Sequence, residues 1–228
     1  MRSRPYTTAV ILAAGNGTRM GCKVAKQELC LLGESLLRHT LRAFEMSSVD
    51  AVVVVIRADE IAFAECEARG FAKVQRIVVG GENRRESAAR GFAVIPKESE
   101  LVAIHDAARP LVTPRDIDAV VALAAVSGAA VPVETVVDTV KVVDADGYIR
   151  TTLNRAELRL AATPQAFSVD LYAEALNAAC EGATDDAMMV ESIGRPVRTV
   201  LLSDENRKIT TQSDLAYAEY IMERRKKK

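Results

Sequence analysis

The sequence has no tryptophan, two histidines and four cysteines. No apolar run approaches the ~18 residues that a membrane-spanning helix needs. The absence of tryptophan restricts the stacking contacts available to a ligand, but it does not restrict the fold. The cysteines form no C-x-x-C pair, which disfavours a zinc site or a disulfide framework. Neither His39 nor His105 has a visible nucleophile near it, so we disfavour histidine as a general base.

The net charge is also small. The sequence has 30 Lys and Arg residues and 31 Asp and Glu residues, which gives a net charge of −1 at pH 7. This balance gives no bulk attraction to nucleic acid or to a membrane, and we expect neither as a partner. Any phosphate binding must come from local charge. Residues Met1 to Tyr6 lead into a predicted strand without a hydrophobic signal segment. With scattered thiols, this favours a cytoplasmic protein.

The chain has 228 residues, 49% of them hydrophobic, which suits one sizeable domain covering residues 1–228. Apolar runs rich in valine and isoleucine alternate with helical patterns, as in strands buried on both faces. The alternation predicts a mostly parallel α/β sheet with helices on both faces. Strands are predicted at Ala9–Leu12, Ala51–Ile56, Ile77–Val79, Leu101–Ile104, Ala129–Val133 and Val197–Leu202, and helices at Ser35–Phe44, Glu60–Arg69, Arg84–Val94 and Pro114–Ala125.

Residues 136–155 break this alternation. Two short extended runs, Asp138–Val143 and Tyr148–Leu153, flank the turn Asp144-Ala-Asp-Gly147, a pattern that predicts a β-hairpin. Because the runs carry charge, we interpret the hairpin as an arm that projects from the domain. An isolated two-stranded hairpin is marginal in water. The arm should therefore pack against a second subunit or against its own chain.

A glycine-rich loop follows the first predicted strand, within Val10-Ile-Leu-Ala-Ala-Gly-Asn-Gly-Thr-Arg-Met-Gly21. Gly15 and Gly17 allow a sharp turn and a close approach to a ligand, and exposed N–H groups in such a turn bind anions. Arg19 and Lys26 add positive charge where a polyphosphate would lie. The loop matches neither G-x-G-x-x-G nor the P-loop pattern. It is either a phosphate-binding loop or an ordinary strand-to-helix turn.

A second glycine loop, Gly80-Gly81, joins a predicted strand to a predicted helix at the same edge of the sheet. Ser87, in the first turns of that helix, is a candidate for contacting a base or ribose. Arg84 and Arg85 could clamp a phosphate, although solvated helix charges are the more ordinary interpretation.

Asp106 lies at the carboxyl end of a predicted strand, where open α/β sheets bind ligands. Its carboxylate could hold a sugar hydroxyl or help to organise a hard cation. Arg109 either pairs internally or touches substrate. Thr163-Pro164 and Lys208 are weaker candidates by themselves, because Thr-Pro is a common turn and lysine usually faces solvent.

Together these motifs resemble the 2-C-methyl-D-erythritol 4-phosphate cytidylyltransferase family, from about Thr8 to Glu219. The ordered set is far more specific than any single member. It comprises Ala13-Ala-Gly-Asn-Gly-Thr-Arg-Met20, Lys26-Gln27, Gly80-Gly81, Ser87, His105-Asp-Ala-Ala-Arg-Pro110, Asp138-Thr-Val-Lys141, Arg155, Thr163-Pro-Gln165, Thr184-Asp-Asp-Ala187 and Asn206-Arg-Lys-Ile-Thr210.

The resemblance implies a Rossmann-like nucleotidyltransferase fold and a homodimer joined partly by the arm. It also implies transfer of a cytidylyl group from CTP to methylerythritol phosphate, with Mg²⁺ and with release of pyrophosphate. This is a step of the non-mevalonate isoprenoid pathway. An acceptor phosphate, with a second pKa of about 6, is largely dianionic near neutral pH. It can therefore attack without a serine nucleophile or a histidine base.

The resemblance also implies roles for individual residues. Arg19 and Lys26 would stabilise the pentavalent transition state, while Mg²⁺ neutralises the triphosphate. The resemblance does not say which residues would bind the metal. Arg155 and Lys208 would hold the acceptor phosphate, with Arg155 reaching the partner's site. Thr139 and Thr163 would be further substrate contacts. The cytidine and phosphates of CTP would be surrounded by Ala13, Ala14, Gly15, Asn16, Gly17, Gly81, Ser87 and Asp106.

Three positions depart from the family pattern. Glu82 stands where aspartate is expected, Arg159 where tryptophan is frequent and Ala162 where glutamine is frequent. These positions bear on the acceptor rather than on the reaction class. The alternatives are a ribitol 5-phosphate cytidylyltransferase, an enzyme for a hexose 1-phosphate with another nucleotide, and a catalytically silent nucleotide-binding protein.

Overall fold

The structure, a computed structural model, describes residues 4–15, 30–178, 182–202 and 205–227. Its strands are β1 (Thr7–Leu12), β2 (Cys30–Leu31), β3 (Glu34–Ser35), β4 (Ala51–Ile56), β5 (Val74–Val79), β6 (Leu101–Asp106), β7 (Ala129–Thr135), β8 (Lys141–Val143), β9 (Ile149–Thr152), β10 (Arg159–Ala161), β11 (Gln165–Ser168) and β12 (Arg198–Leu201). Its α-helices are α1 (Leu36–Glu45), α2 (Ile61–Glu67), α3 (Arg84–Phe92), α4 (Pro114–Ser127), α5 (Val169–Asn177), α6 (Asp186–Ser192) and α7 (Gln212–Lys226), with 3-10 turns at Ala58–Glu60 and Arg155–Glu157.

Eight of these strands form one mixed sheet in the order β10-β7-β11-β6-β1-β4-β5, with β12 also paired to β7. The strands β6, β1, β4 and β5 run parallel, and β12 runs parallel to β7. By contrast, β11 lies antiparallel to both β6 and β7. The predicted mostly parallel α/β sheet is confirmed.

The central strands form because their residues are apolar on both faces. Every residue of β4 and β6 is buried, and two separate apolar clusters cover the two faces of the sheet. β5 lies at the end of the sheet, and Gln75 and Arg76 within it are exposed. This explains why the apolar pattern predicts only Ile77–Val79 of a strand that begins at Val74.

Helix starts follow local capping rules. Thr113 caps α4 through a reciprocal bond with Asp116, and Pro114 occupies the first turn, as the sequence predicts. Ser35 is the N-cap of α1 rather than its first helical residue. Among the described residues, the helices are too short or too polar to cross a membrane.

The predicted hairpin is also confirmed. β8 and β9 pair antiparallel, and Gly147 adopts the left-handed conformation (φ 86°) that the turn requires. Its residues are almost entirely exposed, including Tyr148 and Ile149 at 73% and 61%. The arm therefore presents apolar side chains that its own chain does not cover.

Candidate functional site

The carboxyl ends of the parallel strands meet at one edge of the sheet. Leu12 at the end of β1 is in register with Asp106 at the end of β6, and Gly80 follows the end of β5. Because β11 is antiparallel, its beginning lies at this edge, and Thr163 precedes it. Candidate residues separated by up to about 150 positions in the chain are thus brought together by the sheet direction.

Asp106 is the centre of the charged groups at this edge. Lys208 Nζ donates to its Oδ2 at 2.6 Å, and Arg84 Nε approaches its Oδ1 at 3.4 Å. Burial opposes ionisation, but the charges of Lys208 and Arg84 outweigh it and lower the pKa of Asp106. Asp106 is therefore an anion held between two cations, and Lys208 keeps 39% of its side-chain surface exposed.

Arg84 connects this edge to the buried layer beneath it. Its Nη1 lies 2.6 Å from Oδ2 of Asp186, a carboxylate with no exposed surface, and Tyr172 donates to the other oxygen at 2.7 Å. Burial raises the pKa of Asp186, and the positive charge of Arg84 opposes this shift. Asp186 and Asp106 raise the pKa of Arg84 despite its burial, so the guanidinium stays charged.

The preference for Arg84 and Arg85 as solvated helix charges is therefore wrong. Arg84 pairs with two carboxylates, and Arg85 donates to the carbonyls of Leu176 and Ala178 at 2.7 and 2.6 Å. Both side chains tie α3 to neighbouring elements. Sequence reasoning misses this because the acceptors lie on other elements that reach α3 only in the folded chain.

Thr163 and His105 support Asp106 from the other side. The backbone N–H of Asp106 donates to Thr163 Oγ1 at 3.1 Å, and that hydroxyl lies 3.0 Å from His105 Nδ1. His105 Nε2 faces the carbonyl of Arg109 at 3.3 Å. Burial lowers the pKa of His105 to about 3. The ring is neutral and fixed, which agrees with the expectation that it is not a general base.

Because His105 is buried and neutral, we expect the stability of the protein to decrease in acid. Its pKa of about 3 lies below its ordinary value of 6.5, so below pH 6.5 the unfolded chain binds a proton that the folded chain excludes. The free energy of unfolding is therefore unaffected by His105 above pH 6.5 and decreases as the pH falls below that value. The slope should approach about 1.4 kcal/mol per pH unit between pH 6 and 5. Urea midpoints should depend less steeply on pH in His105→Gln than in the wild type. Parallel slopes would contradict the assignment.

The second glycine loop packs directly against the first. A Cβ on Gly80 would lie 2.5 Å from the Cβ of Ala14, so this contact excludes any larger residue. The N–H of Gly81 donates to Ser87 Oγ at 3.1 Å, and no described residue accepts the hydroxyl proton of Ser87. Ala13 is buried and donates to Val55 O at 2.7 Å. The two loops are therefore packed together at the edge of the sheet that carries Asp106.

Part of the predicted phosphate loop lies outside the described residues. This applies to Asn16, Gly17, Arg19 and Lys26, which stay predictions. Gly15, the last described residue before them, is exposed at the end of the β1 loop.

The predicted acceptor residues fall into two places. Lys208 contacts Asp106, whereas Arg155 lies at the base of the arm and donates from Nη1 to Val137 O at 2.5 Å. Thr139 is exposed on the arm. Neither Arg155 nor Thr139 hydrogen-bonds to Asp106 within the described part of the chain.

Arg109 and Asn206 hold the residues around Lys208. Arg109 Nη1 donates to the carbonyl of Asn206 at 2.9 Å, and Asn206 Nδ2 donates to the carbonyl of Thr163 at 2.8 Å. Ile209 N donates to Ala108 O at 2.8 Å. Burial lowers the pKa of Arg109. Of the two alternatives left by the sequence, the internal role is the one these contacts support.

A protein-built metal centre is not evident in the described ranges. No group of three or more His, Cys, Asp or Glu side chains is arranged there to hold an ion. The carboxylate at the sheet edge, Asp106, is already bonded to Lys208 and faces Arg84. The described residues therefore do not fit a metal site made by the protein alone.

Comparison with known proteins places these features in a family context. The family model described as 2-C-methyl-D-erythritol 4-phosphate cytidylyltransferase matches residues 7–224. A protein of that name from Pelotomaculum thermopropionicum is 45% identical over 224 residues, which cover 95% of this chain and 94% of the relative. Another, from Desulforamulus reducens, is 41% identical, with 95% and 96% covered.

Solved structures give the same result. The 4-diphosphocytidyl-2C-methyl-D-erythritol synthase of Anaerococcus prevotii superposes with a TM-score of 0.86 at 26% identity, covering 96% of each chain. The 2-C-methyl-D-erythritol 4-phosphate cytidylyltransferase of Thermus thermophilus superposes with a TM-score of 0.80 at 32% identity, covering 96% of this chain and 99% of that one.

Proposed function

This chain belongs to the 2-C-methyl-D-erythritol 4-phosphate cytidylyltransferase family, and we propose that it transfers the cytidylyl group of CTP to 2-C-methyl-D-erythritol 4-phosphate. The products are 4-diphosphocytidyl-2-C-methyl-D-erythritol and pyrophosphate. The observation that carries this proposal is the charged centre at the sheet edge, where Lys208 and Arg84 flank Asp106 beside two packed loops.

The reaction joins two polyanions, so the main task of the protein is to position them and to neutralise charge. An oxygen of the acceptor phosphate attacks the α-phosphorus of CTP, and the bond to pyrophosphate breaks. Lys208 supplies a half-exposed cation whose position is fixed by Asp106. In this proposal Lys208 turns its remaining N–H groups toward the acceptor phosphate. Arg19 and Lys26 stabilise the charge that develops at the α-phosphorus.

The nucleotide is assigned to the two glycine-containing loops. Ala13, Ala14 and Gly15 follow β1, and Gly81 and Ser87 lie across from them. In this proposal the hydroxyl of Ser87 donates its proton to a carbonyl oxygen of the cytosine base. The missing Cβ atoms at the glycines let the backbone approach the nucleotide closely.

The divalent cation also belongs to the proposal. Mg²⁺ in nucleotide sites is commonly held by substrate phosphates and water with one or two carboxylates, rather than by a protein cage. We place it on the triphosphate of CTP, where it would neutralise phosphate charge.

A homodimer is part of the proposal as well. The arm exposes Val137, Tyr148 and Ile149 at 76%, 73% and 61%, so it has apolar surface available for a partner. Arg155 at the base of the arm makes no hydrogen bond to Asp106 of its own chain within the described ranges. We therefore propose that the arm carries Arg155 and Thr139 to the site of a second copy.

A cytoplasmic location is also part of the proposal. Cys66 is an exposed free thiol, as expected in a reducing compartment.

The acceptor is tested by measuring pyrophosphate release with CTP and Mg²⁺. We expect turnover with methylerythritol phosphate and at least roughly tenfold lower kcat/KM with ribitol 5-phosphate, because ribitol 5-phosphate lacks the branch methyl group and has a longer carbon chain, and one such difference is commonly worth tenfold or more. Reactions without acceptor and without Mg²⁺ are the controls. Faster turnover with ribitol 5-phosphate would assign the other acceptor. Absence of turnover with any polyol phosphate would favour a nucleotide-binding protein.

A further inference from the structure

Lys208 lies in a short segment without regular secondary structure, residues 205–210, which we call the Lys208 loop. Successive contacts show that this loop runs antiparallel to α7. Glu205 contacts Arg224 and Arg225 at the carboxyl end of the helix. The guanidinium carbon of Arg207 lies 4.8 Å from the ring centroid of Tyr217, which is nearer the middle of α7. Thr210 donates to Asp214 in the first turn of the helix.

Contacts of residues 205–208 alternate between the two sides of the Lys208 loop. Glu205 and Arg207 face α7. Asn206 and Lys208 face the catalytic edge, where they bond to the Thr163 carbonyl and to the Asp106 carboxylate at 2.8 and 2.6 Å. A slip of one residue along the helix would turn Lys208 away from the site.

The contact with Glu205 joins the loop to α7 through ion pairs with two arginines. Arg225 donates from Nε and Nη2 to one carboxylate oxygen at 3.0 and 2.8 Å, and Arg224 pairs with the other oxygen. The Glu205 side chain is only 21% exposed, so water screens this network less than a fully exposed pair. A planar guanidinium fixes direction as well as distance.

We propose that Glu205, Arg224 and Arg225 are positioning residues that set the register of the Lys208 loop and so aim Lys208 at the acceptor phosphate. This gives the basic end of α7 a defined role. The inference rests on the proposed function, because it takes Lys208 as the residue that holds the acceptor.

An alternative explanation is that the basic end of α7 simply attracts the anionic acceptor. This alternative and our proposal predict opposite effects for the Glu205→Gln variant. Glu205→Gln removes a negative charge, so attraction alone would lower the KM for a phosphorylated acceptor. Loss of register should instead raise that KM, roughly three- to tenfold for a partly exposed charge network. The KM for CTP should stay within about twofold, since the Ser87 side of the site is untouched.

The chain offers a matched control for the arginines. Lys226 and Lys227 are exposed neighbours at the same helix end, whereas the ion pairs that Glu205 makes with this end are with Arg224 and Arg225. Arg224→Ala/Arg225→Ala should raise the acceptor KM as Glu205→Gln does, whereas Lys226→Ala/Lys227→Ala should not. Combining Glu205→Gln with the arginine changes should add little, because all three remove the same contact.

A second measurement does not depend on turnover. Acetylation of lysines by an amine-reactive ester, followed by peptide mass spectrometry, reports how firmly Lys208 is held against Asp106. Its labelling rate should rise about three- to tenfold in Glu205→Gln, in proportion to the lost ordering, and should not change in Lys226→Ala/Lys227→Ala. An unchanged rate in Glu205→Gln, or a lowered acceptor KM, would overturn the inference. Wild-type inactivity toward methylerythritol phosphate would count against the proposed function, while the labelling still decides the position of Lys208.

Discussion

Replacing Lys208 by alanine is expected to lower kcat/KM for methylerythritol phosphate by about 10²–10³. The side chain supplies a cation 2.6 Å from Asp106 at the edge where the phosphates are proposed to meet. Without it, the acceptor loses a positive partner and also meets a carboxylate whose remaining ion pair, within the described ranges, is with Arg84 at 3.4 Å. Repulsion between Asp106 and the acceptor phosphate adds to the loss of attraction, which makes this a large effect.

The measurement is steady-state pyrophosphate release with each substrate varied in turn. Lys97→Ala is the matched control, because Lys97 is an exposed lysine before β6, at the opposite edge of the sheet. Lys208→Arg should be intermediate, since it keeps the charge but not the point contact with Asp106. A rise in the KM for CTP alone would place Lys208 on the nucleotide and contradict its proposed role.

Mixing Arg155→Ala chains with Lys26→Ala chains is expected to restore activity to about half that of the wild-type dimer. In a two-fold dimer with arms exchanged between sites, the heterodimer contains one site with both defects and one site with neither. Each homodimer carries one defect in every site and should retain roughly 1% of activity or less, the range for removing one transition-state donor. Isolated heterodimers, purified through two different tags, allow this measurement.

The proposed arrangement of the site supplies a control for the mixing experiment. Lys26 and Lys208 are proposed to belong to the same half of the site, so a heterodimer of Lys26→Ala and Lys208→Ala chains has one defect in each site. It should therefore stay inactive. Two results would show that the site is not shared in the proposed way. One is restored activity in the Lys26→Ala and Lys208→Ala heterodimer, and the other is no restored activity in the Arg155→Ala and Lys26→Ala heterodimer.

Much of the fold follows from local chemistry that the sequence displays. The valine-rich run Ala51–Ile56 is a strand with the predicted bounds, because a run apolar on both faces is stable only between two layers of helices. Thr113 and Pro114 begin α4 as predicted. Gly147 closes the predicted hairpin, because its turn needs the left-handed backbone that glycine adopts easily. Such features depend on a few neighbouring residues, and these are visible in the sequence.

The sequence also names candidate site residues, although it does not give their partners. The apolar pattern correctly predicts Asp106 at the end of a strand, but the contact of Asp106 with Lys208 spans 102 positions of the chain. Arg84 is expected in solvent, yet it lies between Asp106 and the buried Asp186. A lone arginine gives no sign of which carboxylate it meets, since that depends on how distant elements pack.

The sequence by itself determined six strands of the main sheet, the first four α-helices, the hairpin and the polar residues that follow the carboxyl ends of strands. Those depend on periodicity, capping and turn geometry, which are local. Only the tertiary structure decided that Thr163 and His105 support Asp106 and that Glu205 ties the Lys208 loop to α7. The physical reason is that charge pairing and burial act through space, so they depend on the directions in which the sheet and α7 bring remote segments together.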